Sequence, residues 1–186
     1  MSTDPPIGHL PALDAESPCL ARISTRSALY GDLSQLLITA KGKTDYRRLV
    51  LEENVCLRKS ASARQKLYQE LKGRYLLDPS KPAFQIFSTE WIRSENEADR
   101  RLLAYVLFCL NDKTVYTISR VWLYPHLQRP GSVMGISELT NFLNQIAKST
   151  APEVGKWTVK TLERVVQHYL ASVRDFGFAD GKQKKV

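Results

Sequence analysis

The stretch DYRRLVLEENVCLRKSASARQKLYQELKGRYLL, residues 45–77, decides how the chain folds. From Asp45 to about Val55 it sets Tyr46, Leu49, Val50 and Leu57 at roughly helical spacing. Leu57-Arg58-Lys59-Ser60-Ala61-Ser62 is then too polar and too basic to continue a buried face. Ser62 stands three residues before Gln65, the spacing of a capping box, in which hydroxyl and amide satisfy each other's backbone N–H. A second helix runs through Leu67, Leu71 and Tyr75 and stops at Asp78-Pro79, because the residue before a proline is pushed out of the α region. Helix, short turn and capped helix, with cations at the start of the second, is the pattern of a helix-turn-helix.

Charge gathers on the same stretch. Between Lys41 and Tyr75 there are ten Lys and Arg against four Asp and Glu, a net +6 of the chain's +8. Arg58, Lys59 and Arg64 sit around a helix N-terminus, where free N–H groups also favour phosphate oxygens. The cations do not form one stripe: Arg64 falls on the Leu71/Tyr75 side of the wheel, while Lys66 and Lys72 lie elsewhere. Two readings stay open, a phosphate-binding turn and a pair of core helices joined by a solvated basic turn.

The block Glu53-Asn54-Val55-Cys56-Leu57-Arg58-Lys59-Ser60-Ala61-Ser62-Ala63-Arg64 resembles the N-terminal signature of the BrxA family of BREX phage-exclusion systems. Lys156-Trp157-Thr158 with Lys160-Thr161-Leu162, continuing to Arg174-Asp175-Phe176-Gly177-Phe178, is similar to that family's C-terminal helix. The resemblance covers about Ile23 to Phe178. It implies an all-helical, non-catalytic protein implicated in DNA binding, of a kind likened to the antitermination factor NusB.

Composition sets outer bounds. With 186 residues, 43% hydrophobic and 25% charged, the chain is long enough to bury about 70% of its unfolded surface and has the make-up of a soluble globular protein. A pI near 9.5 favours polyanionic partners, nucleic acid before anionic membrane. Cys19, Cys56 and Cys109 are odd in number and far apart, which frames neither a disulfide scaffold nor a zinc site and fits a reducing cytosol. The polar, proline-bearing N-terminus does not read as a signal peptide, and the longest apolar run, 102–110, is far short of the roughly 20 residues a membrane span needs. A cytoplasmic protein is expected.

Taken in order, residues 1–22, with Pro5, Pro6, Pro11 and Pro18, read as a flexible arm. Leu29, Leu33, Leu36, Leu37 and Ala40 keep helical spacing up to Gly42. A helix is expected to begin at Pro82, and Ser94 with Glu97 forms a second capping box before a helix that is apolar nearly all round through Leu102, Leu103, Val106, Leu107 and Leu110. Residues 113–124 have strand propensity but no partner strand, so a helix ending at Pro125 is expected. After a loop over 126–135, Ser137 is expected to cap a helix and Thr150 with Glu153 to form a third capping box. Thr158 then caps a last helix whose Val159, Leu162, Val166, Tyr169, Leu170 and Val173 point inward until Gly177. Helix, short helix, long helix is a second helix-turn-helix pattern, a degenerate winged helix without a full wing. Lys160, Arg164, Gln167 and Arg174 share its outer face, close to Lys156.

The expected architecture is therefore all-α, a compact bundle of about seven to eight helices with two helix-turn-helix-like segments. The N-terminal lobe would cover 23–125 and the C-terminal lobe 136–178, followed by a basic tail over 179–186. Asp175-Phe176-Gly177 spells the kinase magnesium motif, but no glycine-rich loop or catalytic-loop motif accompanies it, and His9, His126 and His168 lie apart from one another and from the cysteines. No catalytic residue, metal site, cofactor or small-molecule ligand is expected. The leading reading is a non-enzymatic DNA-binding accessory protein of a BREX system, holding double-stranded DNA through phosphates with Arg58, Lys59, Ser60, Arg64, Lys66, Lys156, Lys160 and Arg164. The alternatives are a module that binds other BREX defence proteins, or a NusB-like RNA-binding regulator. For the latter Trp157, Tyr68 and Tyr75 would have to leave the core to stack bases.

Overall fold

Every regular element is helical in the computed structural model, which describes residues 10–129 and 131–179. Residues 1–9 of the expected arm and 180–186 of the expected tail lie outside the described residues. Two units share the chain, one of Leu10 with 29–111 and the other of 11–28 with 112–179.

In the first unit, α1 (Tyr30–Ala40) buries Leu33, Leu36, Leu37 and Ala40 of the expected stripe, whereas Leu29 precedes the helix in a left-handed conformation; the helix ends where Lys41 and Gly42 turn left-handed at φ 46 and 85. α2 (Tyr46–Leu51) is capped by Asp45, whose carboxylate accepts from the Arg48 N–H at 3.0 Å. It is shorter than its apolar spacing suggests, because Asn54 adopts φ 51 and takes the chain out of the helix. α3 (Ala61–Tyr75) packs on α2, and α5 (Glu97–Asn111) packs on both α3 and α4 (Pro82–Arg93). Tyr46 meets Phe84 edge-on at 5.5 Å, and Tyr75 lies 5.9 Å from Phe108. Burying Leu71 and Tyr75 completely contributes about 2 kcal/mol each.

α4 begins at Pro82 as expected, but Ser94 closes this helix instead of opening the next. The side-chain carbonyl of Asn96 caps α5, accepting from the Ala98 N–H at 2.8 Å. Nor is α5 buried on all sides: Leu102 and Val106, one turn apart, are about half exposed.

In the second unit, Asp112 caps α6 (Lys113–Ile118) by accepting from the Thr114 and Val115 N–H groups at 2.9 and 3.1 Å. The segment is helical despite its β-branched residues, and it does not end at Pro125. It widens into a π turn over Ser119–Leu123 and continues as α7 (Tyr124–Leu127). Proline has no N–H and its ring crowds the carbonyl of residue i−4. The wider turn just ahead of it, where the Tyr124 N–H reaches back to the Ser119 carbonyl, absorbs that conflict.

α8 (Ile136–Ala147) is capped from Gly135, whose N–H donates to the Glu138 carboxylate at 3.2 Å, so Ser137 sits inside the first turn. A 3₁₀ turn over Pro152–Lys156 follows. Glu153 completes no box with Thr150, since its carboxylate accepts from the Cys19 N–H at 2.6 Å. α9 (Val159–Asp175) has the expected Thr158 cap, with the Thr161 N–H donating at 3.1 Å, and Gly177 at φ 82 lies just beyond it. It buries Val165, Val166, Tyr169, Leu170 and Val173, whereas Val159 is 75% exposed and not inward-facing.

The proline-bearing stretch from residue 11 onward is packed into this second unit. Ala12, Cys19, Ile23 and Ala28 are buried, and a 3₁₀ turn over Arg22–Thr25 lies on α9. The Ala28 N–H donates to the Ser172 hydroxyl at 2.8 Å, His168 Nδ1 donates to the Ile23 carbonyl at 2.9 Å, and the Thr114 hydroxyl donates to the Leu20 carbonyl at 2.7 Å. Proline content marks where regular structure stops, and burial of these four side chains is what keeps the segment in place.

Candidate nucleic-acid interface

Residues 52–60 join α2 to α3, too long a connection for the three-to-four-residue turn of a strict helix-turn-helix. Asn54 clamps the connection: its Oδ1 accepts from the Arg58 N–H at 2.8 Å, and its Nδ2 donates to the Arg58 carbonyl at 3.1 Å. Ser60, not Ser62, caps α3 by accepting from the Ala63 N–H at 3.1 Å, and the Ser62 hydroxyl meets that of Ser60. The polar residue nearest the change of direction takes the cap, and the helix begins two residues before the capping-box spacing places it.

This geometry divides the five site residues expected here. Arg58 turns inward to an ion pair with Asp32, at which both side chains are partly buried. Arg64 is also occupied, its Nε donating to the Leu51 carbonyl at 2.8 Å and tying α3 to the end of α2. Both cations hold the fold. Lys59 and Lys66 remain exposed, with no ion pair among the described residues, and Ser60 serves the cap. Cys56 is buried with its thiol 3.7 Å from the Asp32 carbonyl. Burial first, then the Asp32 carboxylate, pushes that thiol up to about 11.

In the second unit Lys156, Lys160 and Arg164 are all exposed and unpaired among the described residues, as the outer-face reading requires. Lys160 and Arg164 stand one turn apart near the Thr158-capped end of α9, and Gln167 extends the same exposed face. Glu163, also exposed, lies between them. Arg174 instead borders a cavity of about 390 Å³ lined by Leu170, Val173 and Phe178. The aromatic residues considered for base stacking divide as well: Tyr68 and Tyr75 are buried, and Trp157 is half-buried.

Sequence reasoning missed Leu57. Its place in the apolar spacing suggests a core position, but it is 82% exposed and left-handed at φ 54. It also missed an exposed apolar row on the π turn and α7, formed by Val121, Tyr124 and Leu127. Among the described residues no group of three or more His, Cys, Asp or Glu is placed to hold a metal ion, and no helix is long and apolar enough to cross a membrane. No curated protein matches the chain. The model of the BrxA family matches residues 21–186.

Proposed function

The chain belongs to the BrxA family and is thus a BREX-associated protein, and from that premise we propose that it is a non-catalytic DNA-binding accessory protein. It holds double-stranded DNA mainly through phosphates. The observation that carries this reading is a contrast between cations. Arg58 and Arg64 are committed to internal partners, whereas Lys59, Lys66, Lys156, Lys160 and Arg164 stand in water without ion pairs among the described residues. Exposed cations spread over helix starts suit the regular charge of a duplex backbone, where binding releases condensed counterions. Phosphate contacts position a protein without reading sequence, so sequence preference is expected to be weak.

If each of the five takes one phosphate, the affinity should fall with a log–log salt slope of about −4 to −5. Replacing Lys156, Lys160 and Arg164 together by Ala should reduce that slope by roughly three units without lowering the unfolding midpoint. A fluorescence titration against duplex DNA from low to high salt checks both statements. A flat salt response overturns phosphate binding altogether, and an unchanged slope in the triple variant removes α9 from the interface. Single-stranded and duplex RNA in the same titration test the NusB-like alternative.

A further inference from the structure

The sequence sets Arg174 on the outer face of α9 with Lys160 and Arg164, but the structure gives it a different setting. It is half-buried at the edge of the cavity of about 390 Å³, whose described lining belongs entirely to the second unit. Leu170 and Val173 of α9 and Phe178 just beyond it meet Met134 from the segment ahead of α8. Among the described residues that line the cavity, Arg174 is the one charged side chain and Ser132 the one other polar side chain. The end of α9 does not need this guanidinium. The carbonyls of Ser172, Val173 and Arg174 already accept from the N–H groups of Phe176, Phe178 and Gly177 at 3.0, 3.0 and 2.9 Å. The helix dipole favours a cation in the last turn, but a fully solvated one would serve as well. No carboxylate pairs with Arg174 among the described residues. A cation drawn partly out of water without a counter-charge costs stability, and a bound anion offsets that cost.

We propose that this cavity binds a small monoanionic amphipath, a carboxylate with an apolar body, whose head group pairs with Arg174. Its volume falls at the lower end of the roughly 300–1,000 Å³ of small-molecule sites, and apolar walls with few polar groups are what such sites share. One cation matches one negative charge, and the guanidinium fork presents two parallel N–H donors to a carboxylate. A polyphosphate is a poor match, because no second cation lines the cavity among the described residues. Met134 and Phe178 suit the apolar body, since a thioether chain adapts its shape to what it packs against. The site is independent of the DNA reading, in which Arg174 is not one of the five cations assigned to phosphates.

The test uses the full chain and its methionines. There are two in the sequence, so isotope labelling of the methionine methyl groups gives at most two NMR signals, and Met134→Leu identifies the one in the cavity. Octanoate should shift that signal saturably. Octanol, the same body without the charge, should bind at least about tenfold more weakly, the worth of one hydrogen bond to a charged group. Acetate, the head group alone, should leave the signal in place. Arg174→Gln should weaken octanoate by about the same factor and keep the affinity for octanol, and Arg174→Lys should recover part of the loss. Circular dichroism confirms that the variants fold; should Arg174→Gln fail to fold, the three probes on the parent still decide. No saturable shift with octanoate overturns the site. So does octanol binding as tightly as octanoate, acetate binding like octanoate, or a folded Arg174→Gln variant with the parent's affinity for octanoate.

Discussion

At the scale of single residues, arginines that look alike in the sequence do different work. Asp32 lies 26 positions before Arg58, and nothing local announces that they pair. Removing the guanidinium in Arg58→Ala should cost about 1–3 kcal/mol by urea unfolding, whereas Lys59→Ala should leave the midpoint in place and weaken DNA binding. The cap is a second case. Ser60→Ala should lose about 1 kcal/mol, and Ser62→Ala clearly less, because only the Ser60 hydroxyl accepts a helical N–H. The spacing from Ser62 to Gln65 was legible, but serines two apart both satisfy such a rule and only the backbone path chooses between them. Cys56 gives a pH signature. With its thiol pushed up to about 11 against an unfolded value near 8.5, the neutral form is favoured by folding. The stability it contributes is whole below the unfolded value and is lost as pH rises through about 11. Alkylation of Cys56 at mildly alkaline pH should accordingly be slow in the native protein and fast in urea.

At the scale of elements, the apolar periodicities of α1, α3 and α9 were readable because each buries one continuous stripe. Element ends were less legible. Asn96 and Gly135 cap helices whose starts sequence spacing placed elsewhere, since many short polar residues meet the local criterion and tertiary packing selects one. The α6–α7 helix shows the competition most plainly: β-branched propensity argues for a strand and Pro125 for a stop, yet burial of Val115, Ile118 and Trp122 makes it a helix with a widened turn. That turn is held in the core by the 2.8 Å bond between the Ser119 hydroxyl and the Tyr169 phenol. Tyr169→Phe, which keeps the ring and deletes the bond, should cost about 1 kcal/mol in thermal or urea unfolding. A larger loss would mean that the phenol organises more of the helix than its hydrogen bond with Ser119.

At the scale of the whole molecule, all-α architecture was legible in the sequence, but the partition of the chain was not. The division expected at the loop after Pro125 falls instead at Asn111/Asp112, and residues 11–28 belong with the far end. Such pairings leave no local trace, because the bonds from Ala28 to Ser172 and from His168 to Ile23 span 144 and 145 positions. A fragment of residues 29–111 should therefore unfold cooperatively when heated, followed by circular dichroism. Residues 112–179 should melt broadly, and sharpen when a peptide of residues 11–28 is added. The returning segment also sets an order of birth. During synthesis at about 5–20 residues per second, residues 11–28 leave the ribosome on the order of ten seconds before α9 exists to receive them. All of 29–111 is complete in that interval and is free to fold first. The earliest-made part of the second unit is thus among the last to find its place, and it spends the wait as nascent chain open to chaperones and proteases.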